Sequence, residues 1–188
     1  MKTLAFTLAL ALTPLVAKAQ TMQAQTMQDQ TMQDQDITTR VRTLEDRAAL
    51  KALVDTFSNL ADTKSIDAQV LLFTEDASVV SHAAGQTSSL QGRKQIGEAF
   101  SGFLARFQTV YHINGQQTVD IQGDRATGTA YSLVVLIGED GGKLYRNTSG
   151  VTYQDEYVRR DGRWLIAKRA SNFVWSNREE IPTPASQP

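Results

Sequence analysis

Few groups in this chain can do chemistry near neutral pH. It has two histidines, His82 and His112, and no cysteine, which excludes thiol catalysis and disulfide scaffolding. Histidine is the side chain best placed for proton transfer, with an unperturbed pKa of about 6.5. Any general-base step is therefore expected to run through one of these two. His112 lies in Val110-Tyr111-His112-Ile113-Asn114-Gly115-Gln116-Gln117, which reads as an extended strand continuing through Thr118-Val119-Asp120-Ile121. A period of two puts Val110, His112, Asn114 and Gln116 on one face and Tyr111, Ile113, Val119 and Ile121 on the other. If the first face is solvated, this is an ordinary half-buried strand. If it is concave and covered, the polar row lines a pocket. His82 precedes the polar loop Ala83-Ala84-Gly85-Gln86-Thr87 and reads as an exposed loop histidine, with a second acid or base at a pocket mouth as the sharper alternative. With so few nitrogen and sulfur donors a metal site is not expected.

The elements that must position these groups follow from the hydrophobic period. Leu50, Leu53, Val54, Phe57 and Ala61 recur with helical spacing, so an amphipathic helix is predicted to end at Asp62-Thr63-Lys64. Ser65 can cap a second, shorter helix carrying Ile66, Val70, Leu71 and Phe73. Ala77 to Ser81 reads as a short strand and Gly85 to Ser89 as a loop. Gly92 opens a third helix with Ile96, Phe100, Phe103, Leu104 and Phe107 on its apolar face. Four long antiparallel strands are then predicted over 109–122, 126–137, 144–160 and 164–175, turned at Gly123-Asp124, in 138–142 and at Asp161-Gly162. The phenylalanines and Trp175 are assigned mostly to the core. Helices followed by a long meander form an α+β arrangement, and strands this long must twist and curl around what they cover.

Both ends read differently from this body. Met1-Lys2, an apolar run from Leu4 to Val16 and Ala17-Lys18-Ala19 together read as a secretory signal peptide over residues 1–19, too short for the ~20 residues of a membrane span. The pentad Thr21-Met22-Gln23-Ala24-Gln25 recurs twice up to Gln35 with Asp at its fourth place, and residues 20–36 are expected to be a disordered spacer, a methionine copper tether being the sharper alternative. The folded domain is assigned to 37–178 and a disordered, proline-rich tail to 179–188. The formal charge of −1 and the lack of a basic stripe interleaved with aromatics argue against nucleic acid as a partner. Arg159, Arg160, Arg163, Lys168 and Arg169 surround one hairpin and read as solvated strand edges.

The runs Phe57-Ser58-Asn59-Leu60-Ala61-Asp62, Leu72-Phe73-Thr74-Glu75-Asp76-Ala77 and Gly92-Arg93-Lys94-Gln95-Ile96 resemble the SnoaL-like branch of the NTF2-like superfamily. His112 on its long strand and the closing Tyr157-Val158-Arg159-Arg160-Asp161-Gly162-Arg163-Trp164 do so too. The resemblance implies an α+β cone, with a strongly bent, mostly antiparallel sheet enclosing a pocket. It also implies a homodimer joined through the outer sheet face, where Tyr111, Ile113 and Val119 are expected. In the dehydratase and dehydrochlorinase branch an aspartate after the first helix pairs with a strand histidine, and by position these are Asp62 and His112. Arg169 matches an arginine often found on the last strand of the family, although it is more readily paired with Asp155 on the neighbouring strand. Dehydratase-type tyrosines are not clearly matched; the other candidate substrate contacts are Asn114 and Gln116 from the polar row, Phe57 from the first helix, and Tyr131, Tyr153 and Tyr157 by lying on inner strands. Where the dehydrochlorinase carries a lysine, this chain has Phe57, so that assistance to a leaving group is missing. No cofactor is required for an Asp-His pair to remove a proton from carbon.

Three functions are consistent with these residues: a cofactor-free lyase or isomerase acting on a small apolar or polycyclic molecule, a non-catalytic small-molecule binding protein, or, as the weakest, a pure assembly module joined through the outer sheet face. Each is expected to be periplasmic or secreted, with no membrane attachment after signal cleavage. The mature chain is expected to begin at Gln20. An intact mass of the exported protein that matches a later or earlier start contradicts this.

Overall fold

The computed structural model describes residues 13–182, with side chains from residue 18. Most of the signal segment and the end of the tail, residues 183–188, lie outside the described residues. Contacts divide the chain into one unit ending at Glu45 and a second beginning at Asp46.

The described part of the first unit is helical throughout, as the start of α1 (Thr13–Asp62). The predicted disordered spacer at 20–36 is therefore helix here. Its physical basis is local. The repeats contain no glycine or proline and are rich in Gln and Met, which favour helix. Their threonines turn back onto the helix, Thr26 Oγ1 donating to the Met22 carbonyl at 2.9 Å and Thr31 Oγ1 to the Met27 carbonyl at 2.8 Å.

In the second unit α1 buries Leu50, Leu53, Val54, Phe57 and Ala61, the face that the period predicts. It closes with Ser65 N donating to the Leu60 carbonyl at 2.8 Å and Lys64 N to the Ala61 carbonyl at 3.0 Å, with Lys64 in the left-handed region at φ 54°. This is the paired closure of a Schellman motif, with a lysine where glycine is usual. Ser65 makes no side-chain cap on α2 (Ile66–Val70); its hydroxyl pairs with Thr63 Oγ1 at 3.0 Å instead. α3 (Gly92–Leu104) follows a hairpin of β1 (Phe73–Ala83) and β2 (Gln86–Gln91). The expected loop at 85–89 is thus mostly strand. Its turn takes only Ala84 and Gly85, both at positive φ, so the flanking residues are free to pair.

β3 (Thr109–Gln122), β4 (Arg125–Asp140), β5 (Lys143–Arg160) and β6 (Arg163–Glu180) complete one six-stranded sheet in the order β2-β1-β6-β5-β4-β3. All pairings are antiparallel except β1 with β6. β6 runs beyond the predicted end at 175 because Tyr145, Arg146 and Asn147 of β5 pair with Glu180, Glu179 and Arg178. The fold is α+β, with helices on one face of an open, curved sheet.

Two bulges decide which side chains face inward. On β3 the register slips between Asn114 and Gln117, so Gly115 and Gln116 together oppose a single residue of β4. An extra residue reverses every later side chain. Gln116 is consequently exposed, while Gln117, Val119 and Ile121 turn toward the interior, contrary to the simple period of two. On β6 one of two slips against β5 falls at Val174, which leaves Val174 and Trp175 on the outer surface; the other falls at Ala167. Trp175, assigned to the core from sequence, is half exposed and lies over Gly150, where an added Cβ would overlap its indole ring. Phe103 is also partly exposed.

The expected solvated arginine cluster is split by the structure. Arg159 donates to Asp46 at 2.6 Å and to Asp124 at 2.9 Å, and its guanidinium stacks over Trp164 at 4.3 Å. Trp164 Nε1 donates to the other oxygen of Asp46 at 3.1 Å, which secures α1 against the β5–β6 hairpin. Arg169 is buried and bidentate with Asp155, at 2.8 and 2.6 Å. Replacing one partner of such a pair strands the other charge. Asp155→Ala is therefore expected to cost about 3–5 kcal/mol in denaturant unfolding, whereas an unchanged midpoint would show that the pair contributes nothing.

Candidate functional site

The inward row of β3 meets α1 turn by turn. Gln117 Nε2 donates to the Leu50 carbonyl at 3.3 Å. Asn114 Nδ2 donates to the Val54 carbonyl at 3.3 Å and to Asp55 at 3.1 Å, while its Oδ1 accepts from Ser58 Oγ at 3.0 Å. His112 meets Asp62. β3 is an edge strand, paired only with β4, and these side chains supply the attachment that a second neighbouring strand would otherwise give. Asn114 is thus a fastener between helix and sheet. Both its Nδ2 and its Oδ1 are engaged by α1.

At the end of this row His112 Nδ1 lies 2.6 Å from Asp62 Oδ1, and the His112 backbone N–H donates to Asp62 Oδ2 at 3.2 Å. Two bonds to one carboxylate fix both the ring and the strand beneath it. Nδ1 is committed to Asp62 and therefore carries the proton in the neutral ring, leaving the lone pair on Nε2. The side chain of His112 is 7 % exposed and that of Asp62 21 %. Burial pulls the His112 pKa below its ordinary 6.5; the hydrogen bond and charge of Asp62 push it back up, and the charge of Arg169 adds to the lowering. The net direction is down. His112 is accordingly neutral at pH 7, the state a general base requires, and Asp62 is placed to stabilise the imidazolium that proton abstraction creates.

The interior beside the pair is aromatic and cationic. Phe57 packs edge-on against Phe73, Phe100 and Tyr153, with ring centroids 5.9, 6.0 and 6.1 Å away. The Arg169 guanidinium lies 4.2 Å from the Phe57 ring and 4.3 Å from that of Tyr153. Its Nη1 is buried and has no hydrogen-bond partner, an uncommitted donor in an interior where such groups are normally satisfied. Burial raises the pKa of the Tyr153 phenol, so it remains protonated. Tyr157, whose hydroxyl donates to Asp155 Oδ2 at 2.8 Å, is raised for the same first reason.

Of the residues singled out from sequence, the structure brings together Asp62, His112, Phe57, Tyr153 and Arg169. It separates Gln116 and Tyr131 from them. Tyr131 is about half exposed on the outer sheet face because the odd residues of this part of β4 point away from the helices. His82 is exposed and pairs through Nδ1 with Thr87 Oγ1 at 2.9 Å across the hairpin. Tyr157, a candidate by its place on an inner strand, is also inside, where its hydroxyl meets Asp155 and Gln117; the sequence reading does not point to Gln117, and it gives Asp155 only as a partner for Arg169. The signal for Asp155 was its alternation with Tyr153 and Tyr157 on one strand face.

Four grooves stand out on the second unit. One of about 640 Å³ crosses the outer sheet face between Ser78, Thr118, Gln154 and Lys168, and a second, past Asp76, Arg125 and Arg160, adjoins it. A third runs between α2 and α3, and a fourth of about 370 Å³ is lined by Ile113, Tyr131, Leu133 and Trp175. None of the four is lined by Asp62 or His112.

A buried Asp-His pair inside a helix-covered, curved sheet defines the class of protein, an α+β cone with acid-base groups at its interior. The chain belongs to the SnoaL-like family, whose domain model matches residues 42–170. It is 27 % identical over 132 residues to uncharacterized proteins of Mycobacterium tuberculosis and Mycobacterium bovis, covering 69 % of this chain and 86 % of theirs. A candidate scytalone dehydratase of Novosphingobium aromaticivorans superposes with a TM-score of 0.64 at 20 % identity, covering 78 % of this chain and 94 % of that one. A hexachlorocyclohexane dehydrochlorinase does so with a TM-score of 0.65 at 18 % identity, covering 78 % and 95 %. These superpositions establish the NTF2-like fold.

The lowered His112 pKa carries a stability consequence. Below pH 6.5 an unfolded chain takes up a proton that the folded chain resists, so stability is fully present above that pH and is lost as pH falls through the folded pKa. As the pH is lowered from 7, the unfolding free energy of wild type should fall further than that of His112→Gln. Parallel pH profiles would contradict the lowered pKa.

Proposed function

We propose that the protein is a cofactor-independent lyase or isomerase acting on a small apolar molecule, with His112 as general base and Asp62 as its orienting carboxylate. The observation that carries this reading is the bond between Nδ1 of a neutral, buried His112 and Asp62, which leaves Nε2 free to take a proton from carbon. The uncommitted Nη1 of Arg169 and the protonated Tyr153 hydroxyl are the donors suited to negative charge developing on the substrate. Phe57 supplies an apolar wall and no leaving-group cation. Relationship to dehydratases within the family supports a proton abstraction coupled to loss of a leaving group. The leading segment of the sequence supports action outside the cytoplasm.

A second reading is a non-catalytic binding protein. It is favoured by the apolar groove around Ile113, Tyr131 and Trp175. That outer face, with Tyr111, Ile113, Tyr131 and Trp175 each about half exposed, also suits a homodimer.

The test begins with native mass spectrometry of protein purified from its own host, to identify a retained small molecule. With that compound as substrate, His112→Ala should lower turnover by at least ~100-fold while sparing affinity, and Asp62→Asn should lower kcat by a comparable order. Binding without turnover in wild type, or full turnover in His112→Ala, removes the enzymatic reading.

A further inference from the structure

The first unit carries an apolar stripe that no described side chain covers. Ile37 is 48 % exposed, Val41 47 % and Leu44 67 %. Their spacing of four and then three residues places them along one line of α1, at positions equivalent to d, a and d of a heptad. A helical segment whose side chains are all exposed gains nothing from packing, and isolated helices are marginal in water. Something that covers this stripe would supply what the segment lacks.

We infer that the stripe pairs with the same stripe of a second copy of this chain, as a parallel, in-register, two-stranded coil. The charges flanking it select this occupant and this direction. With Val41 at a, Arg40 falls at g and Glu45 at e. In a parallel pair the g residue of one helix faces the e residue five positions on in the other, so Arg40 meets Glu45 of the second copy, twice by symmetry. An antiparallel pair would set g against g and e against e, bringing like charges together. The contact between Arg40 and Asp36 on the same helix does not compete strongly. It spans 3.8 Å with the side chains 75 % and 68 % exposed, and leaves the guanidinium free to serve both carboxylates. The choice of β-branched Val41 at a and Leu44 at d is that of two-stranded coils. Asp34, one heptad before Val41, ends the seam on its N-terminal side. The seam is consequently short, and the association weak and concentration-dependent.

The absence of cysteine makes the test direct. In the full-length chain, Leu44→Cys should form an intermolecular disulfide under mild oxidation, because d meets d in a parallel coil, whereas Thr39→Cys on the opposite side of the helix should not. Adding Arg40→Glu to Leu44→Cys should lower the cross-linked fraction several-fold at a fixed protein concentration, and adding Glu45→Arg as well should restore it. Equal cross-linking at 39 and 44, no cross-linking at 44, or a yield indifferent to the charge reversal would each overturn the proposal. Indifference to charge together with a persistent dimer by sedimentation would assign dimerisation to the outer sheet face instead.

Discussion

The seam between α1 and β3 is the constraint on which the rest of the site depends. An edge strand with one hydrogen-bonded neighbour is free to twist away, and its inward side chains would then have no fixed depth. Here three successive inward residues, Gln117, Asn114 and His112, each reach α1, at Leu50, at Val54, Asp55 and Ser58, and at Asp62. Because the contacts recur along both elements, they set the register of helix against strand as well as their separation. The same register lays Phe57 between Phe73, Phe100, Tyr153 and Arg169. Asp62 therefore closes a structural seam and orients a titratable ring at once.

Arg169 governs the electrostatics of that interior. A buried guanidinium is tolerated because Asp155 accepts two of its hydrogen bonds and two aromatic faces cover it. Its charge reaches His112 and, together with burial, keeps the imidazole neutral against the pull of Asp62. The arrangement is asymmetric in a useful way: positive charge is held permanently on one side, and a base is kept unprotonated on the other.

Much of this could be read from the residues alone. The helical period of Leu50 to Ala61, the strand limits at Thr109 and Gln122 and the pairing of Arg169 with Asp155 follow from spacing and chemistry. The Asp62–His112 contact came from resemblance, since nothing in the periodicity of either element says that they meet. Gln116, Val119 and Ile121 were misplaced for one reason: a β-bulge is a backbone event, signalled here only by Gly115. Asn114 was legible as an inward polar residue but not as a fastener, because its partners lie 56 to 60 residues away in sequence. The helix over the Thr-Met-Gln repeats was obscured by composition. Polar repetition argues against a core, and a helix held only by its own local bonds leaves no hydrophobic period to detect.

The central claim is that His112 is a neutral base, protonated at Nδ1 toward Asp62 and open at Nε2. Nitrogen-15 NMR of the imidazole at pH 7 reads this state directly. The account predicts a protonated Nδ1 and an unprotonated Nε2 in wild type, with that preference weakened in Asp62→Asn. Two protonated nitrogens at pH 7, or a proton on Nε2 alone, would contradict it.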